Sequence, residues 1–287
     1  MKCTLIFICL LFAMPVALAQ QSADSIILAR RFTLHSNILQ EDRTYWVYLP
    51  ASYELEAAAG HKYPVLYLLD GHLHLNVLTG IVHHLSSYSS AVQRIPEMIV
   101  VALVNTNRAR DFTPTHMTSG PYSQESGGSE AFLRFMKKEL IPEIESHYRA
   151  LPERTLVGHS LGGLLTLSAF VEEPELFRNY IAIDPSLWWD DGVLVQRLRQ
   201  LPARKFTAPV SVFIAMANNV VNKEPHERSI RQFQSILKAR ENTSLRVQYR
   251  YFQDETHLSV PLIAIYRGLL FEYAGYKKPE EPSARKP

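Results

Sequence analysis

The chain has 287 residues, 30 lysines and arginines against 28 acidic residues for a formal net charge of +2, and 47% hydrophobic residues. That length suits one large α/β domain or two small ones, and the apolar fraction can fill a sizeable core. The near-neutral balance, with no dense basic stripe and no interleaving of aromatic and basic residues, excludes nucleic acid as an expected partner.

Residues 1–19 read as an export signal. Lys2 supplies the positive start, "TLIFICLLFAMPVALA" the apolar run, and Ala17-Leu18-Ala19 a small-residue end before a cut ahead of Gln20. An uncleaved membrane anchor is the alternative. The run is short and broken by Pro15, so it predicts cleavage, a periplasmic or secreted product, and no stable membrane insertion afterwards. Both cysteines, Cys3 and Cys9, fall within it. The mature chain would hold none, which excludes disulfides, cysteine catalysis and thiolate metal sites.

Residues 20–276 form the predicted domain. "RRFTLHS" (Arg30–Ser36) and "RTYWVYLP" (Arg43–Pro50) alternate apolar and polar residues and read as edge strands, antiparallel to each other. "YPVLYLLD" (Tyr63–Asp70) and "MIVVALV" (Met98–Val104) are nearly continuous apolar runs, as expected of central strands covered on both faces. "SEAFLRFMKKELIPEIESHY" spaces Phe132, Phe135, Met136 and Leu140 at helical period, and Pro142 predicts a kink or a break in it. The strand series continues with "RTLVGHS", "YIAIDPS", "PVSVFIAMA" and "LRVQYRYF". "ERSIRQFQSILKAR" puts Ile230, Phe233, Ile236 and Leu237 on one helical face, and "VPLIAIYRGLLFEYAGY" closes the domain. Residues 277–287 are polar and proline-rich and read as a disordered tail. Alternating strands and helices over this length predict an α/β fold, a mostly parallel sheet with helices on both faces.

Gly158-His159-Ser160-Leu161-Gly162 fits G-x-S-x-G. Such a serine sits on a sharp turn between strand and helix, and its neighbours two residues away must be small or the two backbones collide. The turn lifts the hydroxyl above the carboxyl edge of the sheet, beside free N–H groups of the next helix that favour developing negative charge. "RTLV" before it is a buried strand and "LGGLLTLSAF" after it an apolar helix, so a purely structural joint is the weaker reading. A nucleophilic serine needs a base. His257, after the last strand and before a helix, is at the matching edge. His159 beside Ser160 is expected to point away and pack.

The acid that would orient the base is expected after "VSVFIAMA", where the chain reads "NNVVNKEPHERS". Glu224 is the first carboxylate there and the predicted acid; Glu227, Asp254 and Glu255 are alternatives, as is a Ser–His dyad oriented by Asn218, Asn219 or a carbonyl. The oxyanion donors are predicted to be the N–H of Leu161 and that of His72 or Leu73 in "DGHLHLN". Asp70, His72 and His74 are too few ligands for a metal without a fourth, so no metal or cofactor is expected. In "NTNRARDFTPTH", Arg110 and Asp111 read as loop-bracing charges, leaving Arg108 for the substrate. Trp188 and Trp189 in "DPSLWWDD" are expected to wall an acyl pocket, with at least one of them in the core.

Taken in order, "LLDG", "VNTNRARDFTPT", "GHSLGG", "DPSLWW" and "DETHLSVP" resemble the putative-esterase family of α/β hydrolases, which includes esterase D, trilactone siderophore esterases and feruloyl esterases. The resemblance spans nearly the whole mature chain. It implies the α/β-hydrolase fold, hydrolysis of small carboxylic esters, Ser160 as nucleophile, His257 as base and the two tryptophans as pocket wall. The chain departs from the family pattern at "NNVV", where an acidic residue is common. A non-catalytic ester- or glycan-binding protein on this scaffold and an acyltransferase are the alternative functions.

Overall fold

The computed structural model describes residues 27–55, 59–87, 93–218 and 223–277. The predicted export signal, Asn219 and the tail from 278 onward lie outside them.

Eight strands form one sheet in the order β1-β2-β4-β3-β5-β6-β7-β8. β1 (Arg30–Ser36) and β2 (Glu41–Tyr48) are antiparallel, in register Phe32 opposite Tyr45. Those two rings stack 5.5 Å apart, as cross-strand aromatic pairs do on one sheet face. β2 also runs antiparallel to β4 (Ile99–Leu103). From there β3 (Tyr63–Leu68), β5 (Ala150–His159), β6 (Asn179–Ile183), β7 (Val210–Ala217) and β8 (Leu245–Phe252) are parallel.

The continuous apolar runs are buried on both faces. Along β3, Tyr63, Val65 and Tyr67 enter one core and Leu66 and Leu68 the other. The second core is closed by α1 (Gly71–Ser86) and α8 (Val260–Glu272), through Leu75, Leu78 and Val82 on one and Ala264, Ile265 and Leu269 on the other. The first core receives the remaining helices: α2 (Arg108–Phe112), α3 (Ser129–Phe135), α4 (Ile141–His147), α5 (Leu161–Glu172), α6 (Trp189–Gln200) and α7 (Lys223–Ala239).

The predicted break at Pro142 is absorbed instead. A π-helical turn, Met136–Leu140, joins α3 to α4 and places Pro142 in the first turn of α4, where its missing N–H costs least. Three further elements are helices where the sequence pattern gave none. α1 begins inside the expected loop "DGHLHLN", α2 inside "NTNRARDF", and α6 on the second tryptophan. α6 is polar and bends at Asp190–Gly192, which hides its period. Arg43 on β2 and Asp111 on α2 form a buried pair at 2.7 Å, flanked by Glu41 and Arg110, so Arg110 and Asp111 brace the loop as expected.

The amino edge of the sheet holds a buried polar chain. Glu272 on α8 meets Ser211 on β7, Ser211 meets Asn179 on β6 at 3.0 Å, Asn179 donates to Thr155 on β5 at 3.1 Å, and Thr155 meets Tyr273 at 3.0 Å. One serine proton cannot serve both Glu272 and Asn179. Burial pushes the Glu272 carboxyl up to about 8, so at neutral pH it is an acid that donates to Ser211 while Ser211 donates to Asn179. Between its ordinary 4.5 and about 8 the folded chain keeps a proton that the unfolded chain has released. Its contribution to stability is therefore complete below that window and falls as pH rises through it. Glu272→Gln, which keeps a donor and cannot ionise, is expected to flatten this decline and melt above the wild type at pH 9, as read by thermal unfolding across pH.

Candidate active site

Three neighbouring strands end on a residue with positive φ that is not glycine. Asp70 follows β3 at φ 54°, Ser160 follows β5 at φ 61°, and Asp184 follows β6 at φ 42°. Ser160, at ψ −119°, lies in backbone space that side chains rarely occupy. Its main chain is pinned on both sides. Its N–H donates to Ile183 at 2.9 Å, and its carbonyl accepts from Leu164 at 3.0 Å and Ser186 at 3.1 Å. The hydroxyl stands at the N-terminus of α5, 3.5 Å from the Ser186 hydroxyl.

His257, in the loop after β8, donates from Nδ1 to Asp184 Oδ2 at 2.6 Å. The Asp184 carboxylate is fully buried. Its Oδ1 accepts from the Ala217 N–H at the end of β7 and from His226 Nε2 on α7, both at 3.0 Å. The group on the His257 ring is thus Asp184 and not Glu224. Glu224 is exposed in the first turn of α7, and the buried polar residue of this helix is His226, 5% exposed. No hydrogen bond from Glu227, Asp254 or Glu255 to His257 occurs among the described residues. Glu227 pairs with Arg231 and Glu255 accepts from Ser259, while Asn218 donates to the Gln253 carbonyl.

His159 packs, as expected, and its partner is the His257 ring, 4.5 Å away between centroids. His74 lies edge-on behind it at 5.6 Å. Burial drives His159 down to about 3 and lowers His74 as well, so both rings are neutral against His257 at physiological pH.

Leu161 opens α5 and His72 lies in the first turn of α1. Neither N–H meets an acceptor among the described residues. Leu73 fails as an oxyanion donor: its N–H is taken by the Asp70 carbonyl at 2.9 Å, because the expected loop is already a helical turn. Asp70 accepts from Asn105 at 2.5 Å and from Arg108 Nε and Nη2 at 2.7 and 2.9 Å. Arg108 Nη2 also donates to the His159 carbonyl at 3.0 Å. Arg108, expected at the substrate, therefore first clamps the turns after β3, β4 and β5 together, with about a third of its side chain, 32%, left in the open. Trp189 is fully buried and hydrogen-bonds Thr115, so it is the core member of the tryptophan pair and not pocket wall. Trp188 is exposed at the carboxyl edge.

The signal for Asp184 was present in the chain: a carboxylate at the end of the strand beside the serine strand, followed by proline. His226 carried no comparable signal.

This sheet order, the strained serine turn and the His257–Asp184 pair define an α/β hydrolase. The family model described as "Putative esterase" matches residues 36–257, and the chain belongs to that family of ester-hydrolysing enzymes. It is 30% identical over 252 residues to the ferri-bacillibactin esterase BesA of Bacillus subtilis, covering 80% of this chain and 85% of that one. It is 30% identical over 185 residues to the apo-salmochelin esterase of Escherichia coli, 59% of this chain and 56% of that one. Among solved structures, an IroE-like serine hydrolase from Shewanella oneidensis superposes with a TM-score of 0.77 at 33% identity, covering 85% of this chain and 80% of the other.

Proposed function

We propose that the chain is an exported serine esterase that opens the ester bonds of trilactone siderophores through Ser160, His257 and Asp184. The observation that carries this reading is the 2.6 Å bond from His257 Nδ1 to a fully buried Asp184, at the same sheet edge as the Ser160 turn. That bond fixes the tautomer with Nε2 free to take a proton. Ser160 Oγ attacks the ester carbonyl as His257 removes its proton. The Leu161 and His72 N–H groups receive the oxyanion, and His257 returns the proton to the departing alkoxide. Water then repeats the sequence on the acyl-enzyme and releases the acid.

The substrate class rests on the relatives named for ferri-bacillibactin and apo-salmochelin, and on the apolar rim of this edge. Trp188, Leu73, Leu258 and Leu262 are all exposed, on the segments that follow β6, β3 and, for the last two, β8. Export rests on the reading of residues 1–19. No helix among the described residues is long and apolar enough to cross a membrane.

A fluorophosphonate reagent is expected to add its mass to the peptide containing Ser160 and to abolish hydrolysis of p-nitrophenyl butyrate, bacillibactin and salmochelin together. Full hydrolysis by the labelled protein, or labelling elsewhere, would overturn the serine mechanism. Hydrolysis of the aryl ester without either siderophore would overturn the substrate class.

A further inference from the structure

Where the sequence promised an acid for the histidine, the structure supplies a second histidine for the acid. His226 is buried at 5% exposure, and its Nε2 lies 3.0 Å from Asp184 Oδ1, while Oδ2 holds His257 at 2.6 Å. A carboxylate only accepts, so both rings donate to it. We propose that His226 is a positioning residue that acts through Asp184, turning its second oxygen toward His257 and sharing its charge. The proposal rests on the serine-esterase reading for its effect on turnover, and on geometry alone for its effect on the His257–Asp184 bond.

Oδ1 accepts from the Ala217 N–H at 3.0 Å. Among the described residues His226 is its second donor, and a carboxylate that lost this bond would turn more readily and present Oδ2 to His257 less of the time. His226 limits that freedom from α7, a helix distinct from the segments that carry Ser160 and His257. It also divides the negative charge. Each donor to a carboxylate makes it a weaker partner for the next, so His226 lowers the basicity that Asp184 lends to His257. Among the described residues, the titratable groups facing Asp184 include His226 and His257 directly, with His159 and Tyr249 at longer range; Glu227, beside His226 on α7, pairs with Arg231.

His226→Gln keeps an N–H donor without the imidazole; His226→Leu removes the donor. In p-nitrophenyl butyrate hydrolysis, the leucine variant is expected to lose about 10- to 100-fold in kcat with KM changed less than about twofold, within the range that a positioned base contributes. The acid limb of its kcat/KM profile moves to higher pH, because Asp184 becomes the stronger partner of His257. The glutamine variant is expected to recover kcat to within about threefold, with the limb near that of the wild type. A leucine variant with wild-type kcat and pH profile overturns the proposal. So does a glutamine variant as impaired as leucine, which would make His226 mere packing. The far-downfield proton of the His257–Asp184 bond, followed by NMR in wild type and the glutamine and leucine variants, needs no turnover. It is expected to shift in leucine and to hold in glutamine. Should Ser160 escape fluorophosphonate while this proton behaves as stated, the serine mechanism fails and the positioning role stands. A proton indifferent to both substitutions overturns the role whatever the activity.

Discussion

Asp184→Asn is expected to lower kcat on p-nitrophenyl butyrate by about 10⁴-fold with little change in KM, while Glu224→Ala leaves both as they are. The amide is nearly the size of the carboxylate and can still be held by the Ala217 N–H. What changes is the tautomer. An amide nitrogen facing His257 donates to Nδ1, which moves the ring proton to Nε2, the atom that has to receive the proton of Ser160. The imidazolium formed in the reaction also loses its counter-charge. Ser160→Ala is expected to cost still more, about 10⁶-fold, and the double variant Ser160→Ala, Asp184→Asn no more than Ser160→Ala alone, because the two act as one device. Steady-state kinetics with active-site titration reads all of these. A Glu224→Ala variant that falls as far as Asp184→Asn would return the acid to α7 and contradict the site as drawn.

Gly158→Ala is expected to remove the folded site outright, with a loss of about 4 kcal/mol or more in urea unfolding, or no soluble protein. A methyl group on Gly158 would lie 2.2 Å from the Gly162 carbonyl oxygen, 2.4 Å from its carbon and 2.7 Å from Thr166 Oγ1. Two of those atoms are backbone in the first turn of α5, so relief requires moving the helix that presents Leu161. The strand cannot retreat, since β5 is bonded to β3 on one side and β6 on the other. Gly80 is the control. It lies inside α1 with no atom within 4 Å of its would-be methyl group, so Gly80→Ala is expected to gain about 0.5–1 kcal/mol. Equal behaviour of the two variants would contradict the packing of the turn.

The contrast between Glu224 and Asp184 shows what the chain disclosed and what it hid. Strands were legible because burial on both faces leaves runs such as "YPVLYL" and "VSVFIAMA", and the serine turn because its steric demands fall on residues two apart. His257 followed from its place after the last strand. The acid depends on which strand end swings a carboxylate under the imidazole, which is a matter of three-dimensional reach; Asp184 and His257 are 73 residues apart in the chain. The same limit hid His226, which reads as one polar residue in "EPHERS" until α7 turns it inward. It also hid the division of labour within "WW". Trp189 finds Thr115 for its N–H and is buried, while its neighbour faces out, and no period in the sequence marks the difference. α1 was missed for a different reason: its first turn is built on the positive φ of Asp70, and "DGHLHLN" has the composition of a loop.

The positive φ of Ser160 sets folding and turnover at odds in a way that heredity would register. A glycine there would relax a backbone held against its preference, so Ser160→Gly gains in the folded state what it forfeits in chemistry. Lineages or laboratory libraries screened only for endurance to heat would be expected to drift toward glycine at this position and leave behind inert, robust descendants. A serine kept at φ 61° through such a screen would therefore mark continuing demand for its hydroxyl.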